Sequence, residues 1–298
     1  MAAMTPIDLS RLPAPNVVEP LDFETVFAEL KASLLAYDPA LEPVLDLESE
    51  PLTKLLQVFA YRELLLRNRV NQAARSVMVA YAVGADLEHL AALVGVQRLV
   101  LDAGDPANGV PPTLEGDDDL RRRVVLAPEG FSVAGPEGAY IFHALSADGG
   151  VLDASATSPN PGDVVVTVLA RDGDGTAPAG LLATVAAQVG DEAIRPLTDN
   201  VTVQSAAVTA YTIEATIYTF AGPDPTIVLA ACQAAAEKYA ADNRRLGRDV
   251  RLSAVIAALH QPGVQRVELA SPAADLVLDR TQAGFCSAIA LTHGGLDE

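Results

Sequence analysis

Residues 49–95 constrain the fold of this chain most strongly, because they predict a long helix with a broad apolar surface, followed by a shorter helix. Pro51 suits a first helical turn, and the residues before it, Glu48, Ser49 and Glu50, favour a helix N-terminus. Apolar side chains then recur every seven positions in one row, and a second row accompanies it: Leu52, Phe59, Leu66, Ala73 and Ala80, with Leu56, Val70 and Val77. About thirty helical residues would extend roughly 45 Å.

This predicted helix is apolar on more than one side. Glu63 interrupts the second row, and three further leucines widen the apolar surface beyond a single seam: Leu55, Leu64 and Leu65. Gly84 is the predicted C-cap, and a shorter helix begins at Asp86. Since such a helix needs partners, either within the chain or from another subunit, the pattern indicates a part of an assembly rather than an enzyme.

The whole chain is predicted to be α+β, with an N-terminal long-helix bundle module followed by a βα-rich region. Two stretches of that region share the order helix, glycine turn and strand: AYIFHALSADGGVLDASA from Ala139 and SAVIAALHQPGVQRVELA from Ser253. We therefore expect two similar small mixed-sheet units. The predicted boundaries are an extended, proline-rich arm at 1–20, a helical module at 21–100, a linker at 101–114, a first βα unit at 115–205, and a second βα unit with C-terminal strands at 206–298.

Composition and charge exclude several classes of function. The formal net charge of −19 argues against a general affinity for nucleic acid or anionic lipid. Cys232 and Cys286 lack disulfide or metal-ligand spacing, which indicates a reducing compartment. No stretch resembles a signal peptide or a membrane span. We expect synthesis in the cytoplasm, without membrane insertion.

The candidate chemical groups are better explained by structure than by catalysis. The four histidines, His89, His143, His260 and His293, are isolated from one another. Ser132, in GFSVAG, lacks the second glycine of a nucleophile elbow and suits a helix N-cap.

Acidic residues give no more support for a site. Asp172 and Asp174, in RDGDGT, lack the remaining ligands of a calcium loop and suit a turn before a helix. Four acidic residues lie near a predicted helix start: Glu115, Asp117, Asp118 and Asp119. Their negative charges are best explained by a favourable interaction with the helix dipole, and a metal site is the weaker alternative. We predict no catalytic residues, no cofactor, no metal and no small-molecule substrate.

Several longer segments carry a resemblance to a known family. They are PIDLSRLPAP, LDFETVFAELKA, the long-helix segment LESEPLTKLLQVFAYRELLLRNRVNQAARSVMVAYAVGADLEHLA, RPLTDNVTVQSA and RLGRDVRLSAVIAALHQPGVQRVEL. In these segments the chain resembles the baseplate assembly protein J (baseplate J-like) family of contractile-tailed phages, which includes wedge proteins of R-type, tail-like bacteriocins. The resemblance runs from Ile7 to about Gly295.

The resemblance implies a non-enzymatic structural subunit of the baseplate wedge. It implies three kinds of partner: a smaller, tail protein I-type wedge protein, copies of the chain in adjacent wedges, and hub and sheath-proximal proteins. Assembly would take place on the tail of a virion or of a bacteriocin particle. The residues expected at such interfaces are Leu52, Leu55, Leu56, Phe59, Leu66, Val70, Val77, Phe285 and Ile289. A cytoplasmic scaffold unrelated to tails is the alternative, and a hydrolase built around Ser132 or the Asp172/Asp174 turn comes last.

Overall fold

A computed structural model describes residues 9, 12–13, 15–131, 135–222 and 224–297. The described helices are α1 (Phe23–Tyr37), α2 (Glu42–Leu45), α3 (Pro51–Ser76), α4 (Gly84–Ala92), α5 (Asp117–Leu126), α6 (Glu137–Ala147), α7 (Ala179–Val189), α8 (Pro225–Asn243) and α9 (Leu252–Leu259). The described strands are β1 (Val100–Asp102), β2 (Thr113–Leu114), β3 (Val151–Thr157), β4 (Asp163–Ala170), β5 (Asn200–Ser205), β6 (Ala207–Thr219), β7 (Val264–Ser271) and β8 (Gln282–Leu296). None of these helices combines the length and apolarity that crossing a bilayer requires.

The chain divides into two compact units. Unit 1 consists of Met1–Gln97 with Asp117–Arg121, and unit 2 of Arg98–Gly116 with Arg122–Glu298. Unit 1 is helical, and unit 2 contains both three-stranded mixed sheets. The predicted α+β class, with N-terminal helices and small mixed sheets, is confirmed.

In unit 1, α1 and α2 pack on one face of α3. The carboxylate of Asp22 caps α1 by accepting a hydrogen bond from the backbone N–H of Thr25 at 2.8 Å. Buried side chains of α3 recur at helical spacing along the covered face: Thr53, Leu56, Ala60 and Asn71. Val26 and Leu45 contribute the facing side of this core. The covered face is narrow, so most of the apolar surface of α3 stays outside it.

The long helix is shorter than its apolar repeat predicts. It has 26 residues and ends at Ser76, and the expectation that Gly84 caps its C-terminus is wrong. Gly84 has a φ of 55° and is instead the first residue of α4. The chain turns at 77–83, and Arg121 stabilises this turn by donating hydrogen bonds to the carbonyl oxygens of Val79 and Ala82, each at 2.8 Å.

The described end of the N-terminal arm is attached to α3. Asn71, which is 5% exposed, accepts a hydrogen bond from the backbone N–H of Glu19 at 3.0 Å and donates one to its carbonyl oxygen at 2.9 Å. A buried amide that satisfies both backbone groups of one residue fixes the chain there. The arm residues 1–8, 10, 11 and 14 lie outside the described residues.

The predicted linker at 101–114 contains regular structure. β1 pairs antiparallel with β2, and Asp105 caps a short 3₁₀ turn at Pro106–Asn108. Glycines and prolines lie in the turn between β1 and β2, and this segment belongs to unit 2.

The first sheet of unit 2 has the order β3-β4-β5. β3 lies antiparallel to the central strand β4, and β5 lies parallel to it. Its core joins β3 and β4 to α6 and α7, with Val166, Val168, Val185 and Val189 fully buried. A run of valines suits β4 because a central strand covered by helices is apolar along much of its length.

The second sheet has the order β7-β6-β8, with α8 and α9 packed on it. Its central strand β6 also has one antiparallel neighbour, β7, and one parallel neighbour, β8. The chain order differs, because helix α6 and strand β3 precede the central strand of the first sheet whereas α9 and β7 follow that of the second. The two sheets therefore have the same arrangement of one antiparallel and one parallel neighbour around a central strand, but their elements follow one another in a different order along the chain.

Candidate interaction surfaces

The side of α3 that α1 and α2 leave uncovered carries an apolar stripe with two arginines in it. Phe59, Leu66 and Val70 are 53%, 65% and 61% exposed. We call this surface the cationic-apolar face of α3, and its members are Leu55, Val58, Phe59, Arg62, Leu66, Arg69 and Val70. Exposed apolar residues at helical spacing on one stripe are typical of a surface that another chain covers.

The charges on α3 are opposite to those of the whole chain. Within its 26 residues there is one acid, Glu63, and there are five basic side chains: Lys54, Arg62, Arg67, Arg69 and Arg75. Glu63 is paired with Arg67 at 2.6 Å. Among the residues that the structure describes, Arg62 and Arg69 have no ion-pair partner, and both are exposed.

The residues predicted at interfaces fall into three groups. Leu55, Phe59, Leu66, Val70 and Val77 are exposed, and Leu52 is half-buried. Leu56 is only 9% exposed and faces the core of unit 1, so it is not part of the exposed face of α3.

Phe285 and Ile289 use their side chains within the chain. The guanidinium of Arg244 lies over the ring of Phe285, 5.3 Å from its centroid, and Ile289 packs against the core of the second sheet. A neighbouring chain could therefore contact the backbone edge of β8 rather than these two side chains.

β8 is an edge strand of unusual length and composition. Its 15 residues contain no Asp, Glu, Lys or Arg. On the side away from β6, the strands of the described chain leave it unpaired apart from an isolated bridge between Leu246 and Ala283. Edge strands of soluble proteins usually carry charges or prolines that prevent pairing. An uncharged edge of this length is typical of a strand that pairs with another chain.

The RDGDGT turn that holds Asp172 and Asp174 supports the start of α7. Oδ1 of Asp174 accepts a hydrogen bond from the backbone N–H of Thr176 at 2.8 Å, and the hydrogen bonds from Thr176 hold the pKa of Asp174 below its usual value. Arg244 donates to the carbonyl oxygen of Gly173 at 2.9 Å. Backbone and cation contacts account for the turn without a bound ion.

The acidic cluster before and within α5 also has structural partners. Glu115 is 3% exposed and forms an ion pair with the nearly buried Arg123 at 2.7 Å. Asp117 accepts a hydrogen bond from the backbone N–H of Gly84 at 3.1 Å, and Asp118 pairs with Arg121 at 2.6 Å. Within the described part of the chain, no group of three or more His, Cys, Asp and Glu side chains is placed to hold a metal ion.

Ser132, the other residue considered for chemistry, lies outside the described residues. Among the histidines, His143 is half-buried, and burial lowers its pKa. His293 shares a hydrogen bond of 3.1 Å with the hydroxyl of Thr219, a contact within the second sheet.

A polar joint ties the two sheets of unit 2 together. Asp153 on β3 is 4% exposed, and its Oδ1 atom accepts a hydrogen bond from Arg122 at 2.5 Å. Its Oδ2 atom accepts one from the backbone N–H of Leu246 at 2.9 Å. Arg245 donates to the carbonyl oxygen of Leu152 at 2.5 Å. A small apolar cluster of Leu169, Ala206 and Ala283 completes the joint.

Sequence reasoning missed this joint, although two signals for it are present. Asp153 interrupts an otherwise uncharged strand, VLDASAT, and a buried acid in such a strand requires a donor. The donors come partly from RRLG at 244–247, more than ninety positions later, and no local pattern connects the two segments.

Three models of one family match the chain. The Baseplate J-like N-terminal domain matches residues 48–105, the central domain residues 132–205, and the C-terminal domain residues 211–292. A protein named baseplate protein J, from Escherichia phage P2, is 50% identical over 300 residues, which cover 98% of this chain and 99% of the relative. The chain belongs to the baseplate J-like protein family. Its role is that of a structural component of a contractile-tail baseplate, assembled into a virion or a tail-like particle.

Among solved structures, a chain of the anti-feeding prophage baseplate, determined by cryo-EM, matches with a TM-score of 0.39 and 14% identity. The match covers 61% of this chain and 44% of that one, so this chain spans less than half of its length. Membership of the baseplate J-like family rests on the sequence matches alone. A structural family of this kind implies a protein that is not an enzyme.

Proposed function

We propose that this baseplate J-like chain is a subunit of the baseplate wedge, in a phage tail or a phage-tail-like bacteriocin. In this role it packs with a smaller, tail protein I-type partner through the cationic-apolar face of α3. It links neighbouring wedges around the hub through the edge of β8. Family membership favours this role over the scaffold unrelated to tails that the sequence left open.

The observation that carries the proposal is the exposed apolar stripe on α3. Leu55, Phe59, Leu66 and Val70 are each about half or more exposed in the single chain, although they belong to a helix with ordered packing on its other side. Apolar area of this kind contributes about 25 cal/mol per Å² when a partner removes it from water. A wedge partner would supply that cover.

The chemistry of each surface indicates which kind of partner it contacts. Side chains dominate on α3, which suits packing against a helix of another protein. Backbone groups dominate on the edge of β8, which suits pairing with a strand of a neighbouring chain. The two surfaces belong to different units of the chain, so one substitution can affect one contact without the other.

The test is a pair of charge insertions on the proposed contact, Phe59→Asp and Val70→Asp, followed by purification of tail particles. Each should fold normally as a free chain and fail to enter particles, because a carboxylate would be buried there without a partner. Leu197→Asp is the matched control, since Leu197 is 95% exposed on a loop of unit 2. Normal incorporation of both α3 variants would refute the proposed wedge contact.

A further inference from the structure

The exposed face of α3 combines apolar side chains with positive charge in a chain of net charge −19. Arg62 lies between Phe59 and Leu66, and Arg69 lies beside Val70. Neither arginine has an ion-pair partner among the described residues, while the nearby acid Glu63 is occupied by Arg67. A partner that covered the apolar residues would also bury or crowd these two charges. Burying an unpaired charge is strongly unfavourable, so a stable partner must bring carboxylates.

From this chemistry we infer that the cationic-apolar face of α3 takes an acidic, amphipathic helix from a chain other than this one. The inference rests on the proposed wedge role and specifies the partner segment. Its carboxylates face Arg62 and Arg69, and its apolar residues cover Leu55, Phe59, Leu66 and Val70. Two carboxylates seven positions apart on that helix match the two arginines, which are about 10 Å apart along the axis of α3.

The apolar spacing on the face is that of a helix–helix seam. Leu55, Phe59, Leu66 and Val70 follow one another at intervals of four, seven and four residues, which keeps them on one stripe. At its C-terminal end the stripe meets an open groove. Its lining residues are Arg69, Gln72, Ala73, Arg75, Ser76, Tyr81, Ala82, Val83 and Asp86. Apolar and cationic groups continue into this groove, and Asp86 is the one acid in its lining.

A second copy of α3 is a poor occupant of this face. In a parallel pair each arginine would face its own equivalent. In an antiparallel pair centred on the helix, the two Arg62 residues would lie within about one turn, or roughly 5 Å along the axis. Like charges so close across an interface are unfavourable, and α3 has no unpaired acid that could compensate.

The first experiment identifies the occupant in assembled tails. A photo-crosslinking amino acid is placed at Val58 or at Leu66, both exposed, and the crosslinked peptides are sequenced by mass spectrometry. We expect a peptide from a different protein, with apolar residues at heptad spacing and at least two carboxylates. A peptide of this same chain, a segment without acids, or the absence of any crosslink from an incorporated chain would overturn the inference.

The second experiment tests the charge itself. Arg62→Gln with Arg69→Gln should lower incorporation by about ten-fold or more, whereas Arg62→Lys with Arg69→Lys should remain within about three-fold of wild type. The control pair Lys54→Gln with Asn68→Asp changes the helix charge by the same amount at exposed positions outside the named face and the groove, and it should be tolerated.

The outcomes separate this inference from the wedge proposal. If the glutamine pair enters particles as well as the wild type does, the acidic partner is refuted and the wedge role stands. If the wild-type chain is absent from purified particles, the wedge role is refuted and this inference falls with it.

Discussion

The carboxylate of Asp153 on β3 accepts a hydrogen bond from the backbone N–H of Leu246, 93 positions later, at 2.9 Å. Its other oxygen accepts one from Arg122 at 2.5 Å. One buried side chain therefore joins the first sheet of unit 2 to the segment that follows α8. Both carboxylate oxygens are satisfied, which is the condition for keeping a charge at 4% exposure.

Replacing Asp153 by alanine should destabilise the protein by about 3 kcal/mol, because Arg122 and the N–H of Leu246 would lose their acceptor. Asp153→Asn should cost less, since one acceptor oxygen remains. The measurement is urea unfolding, compared at unchanged m-value. The exposed Glu192→Ala is the control and should stay within about 0.5 kcal/mol of wild type. Equal midpoints for Asp153→Ala and the control would contradict this account of the joint.

Leu55 and Leu56 are neighbours in the chain with opposite environments, 48% and 9% exposed. Leu56→Ala should destabilise the free chain by about 2–3 kcal/mol because it leaves a cavity against α1 and α2. Leu55→Ala should leave the stability of the free chain within about 0.5 kcal/mol and reduce incorporation into tails. Thermal unfolding and particle yield check the two effects separately. A loss of free-chain stability in Leu55→Ala would show that this face is already covered within the chain.

Lysines on the edge of β8 should block pairing with a neighbouring strand. Ala288 and Ala290 are exposed, so Ala288→Lys with Ala290→Lys should preserve the fold and prevent ring closure between wedges. Ala270→Lys on β7, the opposite edge of the same sheet, is the control. Electron microscopy of particles distinguishes closed baseplates from isolated wedges. Closed, functional baseplates from the double variant would mean that β8 only completes its own sheet.

Truncation after Ala283 is a harsher form of the same test. It removes most of a strand that pairs with β6 from Ala207 to Thr219, so we expect a clear loss of stability in unit 2. Binding of the small wedge partner through α3 should survive, because α3 belongs to unit 1. Ring closure should fail. Simultaneous loss of partner binding would show that the two contacts are not divided between the units as proposed.

Ser132, Asp172 and Asp174 are predicted to have structural roles. Alanine at each position should leave particle function within a few-fold of wild type, because the contacts of Asp174 are a backbone N–H and a hydroxyl of Thr176. Infectivity or killing titre is the measurement. Complete loss of function in a variant that folds and assembles normally would point to chemistry at that residue.

His143 should make the protein sensitive to mild acid. Burial lowers its pKa in the folded chain, while the unfolded chain keeps a value of about 6.5. Between the two values the unfolded state binds more protons, so stability present above about pH 6.5 is lost as the pH falls towards the folded value. His143→Gln should therefore show a smaller fall in Tm between pH 7.5 and pH 5.5 than wild type. An unchanged fall would assign the acid sensitivity to other groups.

The sequence predicts helices well where the ends carry their own signals. The long helix begins at Pro51, as the sequence predicts, and α8 likewise begins at a proline, Pro225, directly after the cap at Asp224. The turn that holds Asp172 and Asp174 is local only in part. Asp174 accepts a hydrogen bond from Thr176, two residues later, whereas the contact of Gly173 with Arg244 spans 71 positions.

The structure differs from the sequence-based expectations where distant residues interact. The apolar repeat of α3 continues through Val77 and Ala80, but Arg121, about forty positions later, donates to carbonyl groups at 77–83 and stabilises a turn there. Phe285 and Ile289 lie in the last strand, where an exposed edge is expected. In the structure, however, Arg244 covers the ring of Phe285, and Ile289 packs against the core of the second sheet. Hydrophobic periodicity predicts which face of a helix or strand is apolar, but it does not predict which distant residue packs on that face.

The joint within unit 2 also has a mechanical consequence. The small cluster of Leu169, Ala206 and Ala283 places β4, the junction of β5 with β6, and the start of β8 in direct contact. A pull on β8 is thus carried into β4 through packed side chains, and into β3 through the Leu246–Asp153 hydrogen bond. The first path is a packed apolar contact and the second runs through single hydrogen bonds, so a pull on β8 would reach β4 and β3 together. We therefore expect the two sheets of unit 2 to move as one body under such a force.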